Sequence, residues 1–468
     1  MTNELPTGFV EMLRSFGEAY AEPLLAALDT APSVSVRANA LKGAAVLPGA
    51  DIVPWCSRGF YLDERPLFVA DPAWHQGLYY VQDASSMVYG HIVGTIVDRY
   101  FKSSEALRYL DACAAPGGKT IAALEALPAG SLIVANELDR HRANILLENI
   151  AKEGSPNVAV CRGDAARLGK FRESFDIIAV DAPCSGEGMM RKEAEAIRQW
   201  SQGLIDDCAS LQREILSALW AALRPGGVLI YSTCTFNRSE NEENISFIAD
   251  TLGGESIDLG LDKFDGVFGG INTDLHCYRF APGHVRGEGL FVGALRKPGE
   301  DAGNSELRAA KNKTAATFAD HVVDADKYIE VATKTGLELR SAIHSTFIDE
   351  IANKADVLRG GLPLATIKGR DMIPNHEFAI STAIRLDSYA TLDLDYAAAM
   401  AYLRGESINE IPEGLPKGLV LVCYNGRPLG FAKNIGRRAN NLYPDALRLR
   451  LDPRKLPSEA PTPIITLK

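Results

Sequence analysis

Residues 177–188 have the sequence IIAVDAPCSGEG, an apolar run that passes directly into a loop. Its first four side chains are apolar and mostly β-branched, and Pro and Gly follow, which predicts a short buried strand. Asp181 and Cys184 come at the carboxyl end of this strand, where open α/β sheets place their ligand sites. The segment therefore predicts an α/β fold with reactive side chains at one edge of a sheet.

Residues 228–235, VLIYSTCT, repeat this arrangement about fifty residues further along the chain. They predict a second apolar strand that ends in a thiol, Cys234. Both thiols thus fall at the predicted cleft, and two strand ends that each carry a cysteine indicate a site whose chemistry needs sulfur.

Strands and helices alternate throughout the middle of the chain. The predicted strands cover 107–111, 131–136, 157–160, 176–181 and 228–233, and the predicted helices cover 119–127, 140–153 and 204–223. Repeated units of this kind predict a parallel sheet with helices on both faces. Residues 290–295 predict a last strand, antiparallel at or near one edge of that sheet.

Residues 111–120, DACAAPGGKT, join a predicted strand to a predicted helix through a glycine loop. Phosphate-binding motifs are incomplete here, because Cys113 occupies the first glycine position of a P-loop and the pattern GxGxxG is absent. Glu137, after the second strand, can accept hydrogen bonds from ribose hydroxyls, and Asp164, after the third, is placed for an adenine amino group. These acids favour an adenosine-bearing cofactor. Because the loop lacks a complete phosphate-binding motif, S-adenosylmethionine, which carries no phosphate, fits better than NAD or ATP.

The eight cysteines differ in their surroundings. Cys113 is interpreted as a lining residue of the cofactor loop, and five others as small core residues, namely Cys56, Cys161, Cys208, Cys277 and Cys423. Asp181 would raise the pKa of a neighbouring thiol, so it is better suited to serve a substrate than to activate Cys184. Methylation of a pyrimidine at C5 uses such groups, because a thiolate that adds to C6 makes C5 nucleophilic. An acid and a second thiol then assist charge stabilisation and release.

Composition excludes several classes of protein. Hydrophobic residues make up 46% and charged residues 23% of the 468 residues, as in globular chains of two or three domains. No run of about 18 apolar residues and no signal-peptide pattern is present, which predicts neither a membrane span nor secretion. The cysteines form no CxxC pair, so we expect no metal site, and free thiols predict a cytoplasmic protein.

The net charge of −11 is unevenly distributed. Residues 417–468 contain 10 Lys/Arg and 3 Asp/Glu, a local charge of +7, so the other 416 residues carry −11 − 7 = −18. A basic module on an acidic body is typical of polyanion binding. Residues 418–432 within it predict a strand, an Asn-Gly turn and a second strand, and hence a small β-barrel-like module.

Five segments together resemble the RNA 5-methylcytosine methyltransferases of the NOL1/NOP2/Sun family, and within it the bacterial enzymes that act on small-subunit ribosomal RNA. They are DACAAPGGKT (111–120), DAPCSGEG (181–188), RKEAEAIRQW (191–200), YSTCTFNRSE (231–240) and GEGLFVGALRK (287–297). The resemblance extends to residues 37–42, 80–86 and 424–430. It implies a Rossmann-like class I methyltransferase core that uses S-adenosylmethionine, an α-rich N-terminal region and a C-terminal module similar to a PUA domain.

The resemblance also implies a role for each motif position. Cys234 would be the nucleophile that attacks C6 of cytosine, and Cys184 the thiol that assists product release. Asp181 would contact the cytosine near the methyl end of the cofactor, with Lys119 beside it. The cofactor site would comprise Cys113, Ala114, Ala115, Pro116, Gly117, Gly118, Lys119, Glu137, Asp164 and Asp181.

We expect four regions along the chain. They are an N-terminal RNA-binding region (1–100), the methyltransferase core (101–297), a linker and connecting segment (298–345), and a C-terminal RNA-binding region with the PUA-like module (346–468). Residues 33–39 alternate like a strand, and Arg37 on it is interpreted as a solvated residue rather than a phosphate contact. The expected partner is ribosomal RNA or the small ribosomal subunit, bound by a monomer. A transfer RNA cytosine-C5 methyltransferase and a non-catalytic RNA-binding assembly factor remain alternatives.

Overall fold

The fold is taken from a computed structural model that describes residues 4–104, 106–300, 309–310, 316–369 and 371–467. Within these ranges every helix is too short or too polar to span a membrane. Part of the predicted linker, residues 301–308 and 311–315, lies outside the described residues.

The N-terminal region combines helices with a small antiparallel sheet. Its elements are α1 (Thr7–Ser15), α2 (Glu18–Leu28), β1 (Val34–Ala38), β2 (Ala44–Val46), β3 (Ile52–Val53), β4 (Cys56–Leu62), α3 (Pro72–His75), β5 (Tyr79–Val81) and α4 (Val88–Tyr100). The strand order of the sheet is β3-β4-β1-β5. The predicted strand at 33–39 is present as β1, and the predicted α-rich region thus also contains this sheet.

Arg37 on β1 is buried, so its interpretation as a solvated residue is wrong. Its guanidinium forms a 2.6 Å ion pair with Glu125 and donates a 2.9 Å hydrogen bond from Nε to Gln82 Oε1. β1 is a central strand of the small sheet, and this arginine faces the methyltransferase core rather than solvent. The ion pair therefore helps to fix the N-terminal region on the core.

The middle of the chain forms the central domain, the part expected to be the methyltransferase core. Its elements are β6 (Arg108–Asp111), α5 (Gly118–Ala126), β7 (Leu132–Glu137), α6 (Arg140–Glu153), β8 (Val158–Arg162), β9 (Phe175–Asp181), α7 (Ala194–Gln199), α8 (Gln202–Trp220), β10 (Leu223–Thr233), α9 (Glu242–Asp250), β11 (Glu255–Ser256), β12 (Val267–Gly269), β13 (Cys277–Phe280) and β14 (Leu290–Arg296). The predicted helix at 140–153 matches α6 because its ends are marked locally. Asp139 caps the first turn by accepting from Arg142 N at 2.8 Å, and Gly154 ends the helix with φ of +85°.

The central sheet has the order β12-β13-β14-β10-β9-β6-β7-β8, and the strands from β10 to β8 are parallel. β14 runs antiparallel to β10, as predicted, with β13 and then β12 outside it. Along β9, Ile177 and Ala179 belong to one hydrophobic cluster and Ile178 and Val180 to another. Alternate side chains thus enter opposite faces, both covered, which explains the continuous apolar run in the sequence.

The predicted linker and C-terminal boundary need correction. Strands β15 (Tyr328–Ala332) and β16 (Gly336–Ser341) lie inside the segment expected to connect domains. Helix α10 (Ser345–Lys354) packs Phe347 against the core, and β17 (Asp356–Arg359) pairs antiparallel with β8, which extends the central sheet. The apolar face of α10 is buried by the methyltransferase sheet, so this part of residues 346–468 belongs structurally to the core.

The remaining C-terminal chain forms two small sheets. Its elements are β18 (Leu362–Lys368), β19 (Asp371–Pro374), α11 (His376–Ala379), β20 (Ala390–Leu394), α12 (Tyr396–Leu403), β21 (Gly418–Tyr424), β22 (Arg427–Asn434), β23 (Ala439–Asn441) and β24 (Ile465–Leu467). The sheets have the orders β15-β16-β18-β19 and β20-β21-β22-β23. Asn425 and Gly426 both have positive φ, +49° and +69°, which gives the predicted hairpin its tight turn.

The C-terminal hairpin is docked on the N-terminal region. The buried Gln76 side chain donates hydrogen bonds to Tyr424 O at 2.9 Å and Arg427 O at 2.8 Å. Tyr396 donates to Ala70 O at 3.1 Å, and β24 pairs with β2. The two regions expected to bind RNA are therefore in direct contact with each other.

Candidate active site

Four strand ends meet at one edge of the central sheet. The chain leaves β6 on one side through β7 and β8, and on the other side through β9 and β10. Such a reversal of strand order opens a crevice at the carboxyl ends of the central strands. Asp111, Glu137 and Asp181 end β6, β7 and β9, and Cys234 directly follows β10.

The loop after β6 brings its backbone close to this crevice. Gly117 has φ of +113°, a left-handed conformation that favours glycine, and directly precedes helix α5. A Cβ on Gly118 would lie 3.1 Å from Tyr80 Cε1, so a larger side chain would crowd the contact with the N-terminal region. The buried Asp111 accepts a 2.6 Å hydrogen bond from Thr120 Oγ1, and burial raises the pKa of Asp111 to about 7.

A cavity of about 170 Å³ lies between this loop and the N-terminal region. The wall opposite the loop comes from residues 80–86, a segment that shares the family resemblance but had no predicted role. Within it, half-buried Asp83 accepts hydrogen bonds from the backbone of Ser86 at 3.1 Å and of Glu288 at 3.0 Å. Burial raises the pKa of Asp83. Of the predicted site residues, the cavity is lined by Cys113, Ala114, Ala115, Pro116, Gly118, Lys119 and Asp181.

Glu137 and Asp164 lie at neighbouring strand ends and do not line this cavity. Glu137 is buried and accepts a 2.9 Å hydrogen bond from Asp139 N, while its backbone oxygen accepts from Gly163 N at 3.1 Å. Asp164 is exposed and accepts from Ala166 N at 3.0 Å, which caps a short 3₁₀ turn. The two acids thus occupy the outer part of the crevice.

Lys119 and Asp181 form an ion pair inside the crevice, with 2.6 Å between Nζ and Oδ2. The second carboxylate oxygen of Asp181 accepts a 2.7 Å hydrogen bond from Ser232 Oγ, which is 2.6 Å from the Tyr89 hydroxyl. Burial alone would lower the pKa of Lys119, but the charge and hydrogen bond of Asp181 outweigh it and raise that pKa. The lysine is therefore a fixed cation beside the thiols.

The structure brings together the two strand-end thiols, with 3.3 Å between the Sγ atoms of Cys184 and Cys234. Their loops are joined by hydrogen bonds from Ala182 N to Ser232 O and from Gly188 N to Cys234 O, both 2.9 Å. A Cβ on Gly188 would lie 2.3 Å from Cys234 O, so this close approach requires glycine.

The two thiols are not equivalent. The hydrogen bond from Cys184 lowers the pKa of Cys234, although burial and the Asp181 carboxylate oppose this, and the Lys119 ammonium adds to the lowering. The same hydrogen bond, together with burial, raises the pKa of Cys184, and Glu240 acts in the same direction. The geometry therefore favours a thiolate at Cys234 and a thiol at Cys184.

A buried carboxylate, Glu187, holds the loop that follows β10. Its Oε2 accepts from the backbone of Phe236 at 2.6 Å and of Asn237 at 2.9 Å, and from the Thr235 hydroxyl. Its Oε1 accepts from Trp200 Nε1 at 2.9 Å. This role was not predicted from the sequence, and the one signal for it was the position of Glu187 within segment 177–188.

Glu240 holds the other side of the same pair of loops and was also missed. Its carboxylate accepts from Ser185 N at 3.0 Å, from Asn237 Nδ2 at 2.7 Å and from Gln212 Nε2 at 2.7 Å. Burial raises the pKa of Glu240. One carboxylate in each thiol-bearing loop therefore accepts hydrogen bonds from the other loop, which fixes the separation of the two sulfurs.

We expect Lys119→Met to shift the alkylation of Cys234 to higher pH, because the ammonium helps to lower the pKa of that thiol. Iodoacetamide reacts with the thiolate, whose fraction rises with pH, so a higher pKa of Cys234 would slow the reaction several-fold near pH 7. The measurement is the alkylation rate of the Cys234 peptide across pH by mass spectrometry. The exposed Lys102→Met is the control, and an unchanged profile in Lys119→Met would show that the lysine does not act on the thiol.

Family comparisons match three successive parts of the chain. The N-terminal domain of 16S rRNA methyltransferase RsmF matches residues 5–84, 16S rRNA methyltransferase RsmB/F matches 100–296, and the methyltransferase RsmF PUA domain matches 389–449. The ribosomal RNA small subunit methyltransferase F of Shewanella loihica is 32% identical over 410 residues, which cover 84% of this chain and 82% of that protein. Its counterpart from Citrobacter koseri is 32% identical over 423 residues, 84% of each chain.

Solved structures share the fold. A methyltransferase homolog protein from Pyrococcus horikoshii has a TM-score of 0.52 at 24% identity, over 63% of this chain and 96% of its own. NSun6 from Pyrococcus horikoshii, solved with SFG, has a TM-score of 0.51 at 21% identity, over 63% of this chain and 99% of its own.

The central sheet reverses its strand order at β6 and carries a glycine loop and acids at its strand ends. This arrangement and the family match to residues 100–296 define a class I methyltransferase. The predicted Rossmann-like core and PUA-like module are confirmed. The chain belongs to the ribosomal RNA small subunit methyltransferase F family, which confirms the resemblance that its motifs indicated.

Proposed function

We propose that this protein methylates C5 of a cytosine in small-subunit ribosomal RNA, with S-adenosylmethionine as methyl donor. The observation that carries the proposal is the pair of thiols 3.3 Å apart, beside the Lys119–Asp181 ion pair. A methyltransferase that acts on oxygen or nitrogen needs no covalent step, whereas a pyrimidine carbon must first be activated by a nucleophile. Ribosomal RNA is proposed as the substrate because the relatives are named ribosomal RNA small subunit methyltransferases.

The residues of the crevice fit S-adenosylmethionine. Buried Asp111 lines the inner cavity with a raised pKa, so a bound ammonium would stabilise its charged form. The backbone of residues 113–119 would surround the amino-acid part of the cofactor. Glu137 would accept from the ribose hydroxyls, and Asp164 from the adenine amino group. When bound, the cofactor supplies an electrophilic methyl group next to Asp181.

Cys234 would act as the nucleophile. Its thiolate would add to C6 of the cytosine, which forms a carbon–sulfur bond and makes C5 able to accept the methyl group. Water then takes the proton from C5, and the electrons of that bond re-form the C5–C6 double bond, expel the sulfur from C6 and regenerate the Cys234 thiolate. Asp181 would hold the cytosine ring by accepting a hydrogen bond from its exocyclic amino group, while Lys119 keeps that carboxylate in place. Cys184, a thiol 3.3 Å from Cys234, is placed to assist the release step.

The C-terminal module would form part of the RNA-binding surface. The basic residues of 417–468 lie in and around the hairpin that contacts the N-terminal region. Lysine and arginine there would hold phosphates, which position the RNA without reading its sequence. A non-catalytic assembly factor would have no need for two adjacent thiols in the crevice. Their presence favours a catalytic role for this protein.

A tritium-release assay tests the proposal. Small ribosomal subunits from a strain that lacks the enzyme would carry cytosines tritiated at C5. We expect one tritium to enter water for each methyl group transferred, because the C5 proton is lost in the reaction. Methyl transfer without tritium release would exclude C5 as the target. Release from transfer RNA but not from the subunit would support the transfer RNA alternative.

A further inference from the structure

A second cavity, of about 380 Å³, opens in the N-terminal region beside the site. Its volume lies within the range of about 300–1,000 Å³ that small-ligand sites occupy. Tyr80 and Val81 line both this cavity and the inner cavity of the crevice, so the two share a wall. None of the residues assigned to the proposed reaction lines this second cavity.

Aromatic rings and cations lie together around this second cavity. Trp74, Phe68 and Tyr80 line it, and Arg65 places its guanidinium carbon 5.4 Å from the centre of the Phe68 ring. Lys152 Nζ is 3.2 Å from the centre of the Trp74 ring. Unpaired bases stack on aromatic rings, and cations beside those rings attract the phosphates.

Two polar groups of this cavity are available to a ligand. In the described part of the chain, the exposed Arg65 has no hydrogen-bond or ion-pair partner, and the acids Asp63 and Glu64 that precede it do not line the cavity. Asn149 donates to Pro116 O at 2.8 Å and to the Tyr80 hydroxyl at 3.4 Å. Its side-chain oxygen remains free, among the described residues, to accept from a base amino group.

Leu67 adds an apolar group to the wall and is 47% exposed. A flat apolar base explains such a side chain better than a purely ionic ligand would. The adenosine of the cofactor is assigned to Glu137 and Asp164, and neither acid lines this cavity. The shared Tyr80 wall instead places any occupant close to the reaction centre.

We propose that this cavity binds one unpaired nucleotide of the substrate RNA, separate from the target cytosine. The base packs against the aromatic wall, and Arg65 holds the phosphate. This inference rests on the proposed function, since it takes RNA as the substrate. Through Asn149, which contacts both this cavity and the loop at Pro116, the nucleotide also stabilises the loop that surrounds the cofactor.

The test uses Trp74→Leu and Arg65→Ala in the full-length protein, with Arg14→Ala as the control. Arg14 is an arginine on α1 whose side chain is 57% exposed. The probe is a transcript of small-subunit ribosomal RNA that contains 4-thiouridine. We expect each cavity variant to weaken RNA binding roughly tenfold, through the loss of one stacked base in Trp74→Leu and of one phosphate contact in Arg65→Ala. The dissociation constant of S-adenosylhomocysteine should change less than twofold, and photocrosslinks should map to peptides within 65–81.

Unchanged RNA affinity in Arg65→Ala and no crosslink within 65–81 would overturn the proposal, even if Trp74→Leu fails to fold. Weaker S-adenosylhomocysteine binding with unchanged RNA affinity would assign the cavity to the cofactor and overturn it too. Failure of the proposed function has a different signature. A wild-type protein that binds RNA but releases no tritium would refute the methylation chemistry, while the crosslinks would still decide the occupant of the cavity.

Discussion

Cys184→Ala is expected to accumulate a covalent protein–RNA adduct that survives denaturing electrophoresis, whereas Cys234→Ala should form none. The thiolate is favoured at Cys234, because Cys184 donates a hydrogen bond to it and Lys119 lies nearby. Loss of Cys234 removes the bond to C6 and should reduce turnover by at least about 10⁴-fold. Loss of Cys184 also removes the hydrogen bond that lowers the pKa of Cys234, so addition is slower but still occurs, while the release step that needs Cys184 is slowed more.

The adduct experiment needs a matched thiol control, and Cys208→Ala on α8 provides one. It removes a partly buried sulfur on a helix that carries neither of the two paired thiols, and it should retain wild-type turnover without an adduct. If the adduct forms in Cys234→Ala and not in Cys184→Ala, the roles of the two thiols are inverted. The 3.3 Å separation makes either order geometrically accessible, so the trapped species decides.

Glu187→Ala is expected to cost about 3–5 kcal/mol of unfolding free energy and to reduce turnover roughly 100-fold. The substitution removes the carboxylate that accepts from four donors, on Trp200, Thr235, Phe236 and Asn237. Water can satisfy some of them, which limits the loss. The loop after Cys234 would then move, and a displacement of about 1 Å at a nucleophile is enough for a loss of that size.

Urea unfolding and single-turnover kinetics measure the two effects of Glu187→Ala separately. Glu193→Ala, an exposed glutamate that precedes α7, is the control and should change neither quantity. A stable and fully active Glu187→Ala would show that Glu240 alone holds the thiol loops. A stable but inactive protein would instead indicate that Glu187 acts on the reaction rather than on the fold.

Local patterns were sufficient for the parallel strands of the methyltransferase core. The apolar run at 177–180, the Asn-Gly turn of the hairpin and the capped helix α6 each depend on residues close in sequence. Burial on both faces of the sheet makes its strands continuously apolar, so they stand out from the polar loops that follow. The strand-end positions of Asp111, Glu137 and Asp181 follow from the same patterns.

Long-range contacts decided what those patterns could not show. Arg37 lies on an alternating strand like many exposed arginines, and its burial depends on Glu125 and Gln82 from other elements. β17 is a short strand that follows the predicted linker, and its place beside β8 depends on α10 covering the core. Neither outcome leaves a signal in the local sequence, since a strand's neighbour in a sheet is set by tertiary packing.

The sequence by itself determined that two thiols and an acid follow parallel strands, next to a loop suited to an adenosine-bearing cofactor. Only the tertiary structure decided how the thiols relate to each other. Their 3.3 Å contact depends on hydrogen bonds between loops fifty residues apart, and the unequal ionisation of Cys184 and Cys234 depends on the hydrogen bond between the two thiols and on the Lys119 charge. Reactivity follows the local electrostatic environment, which the fold creates and the order of residues does not contain.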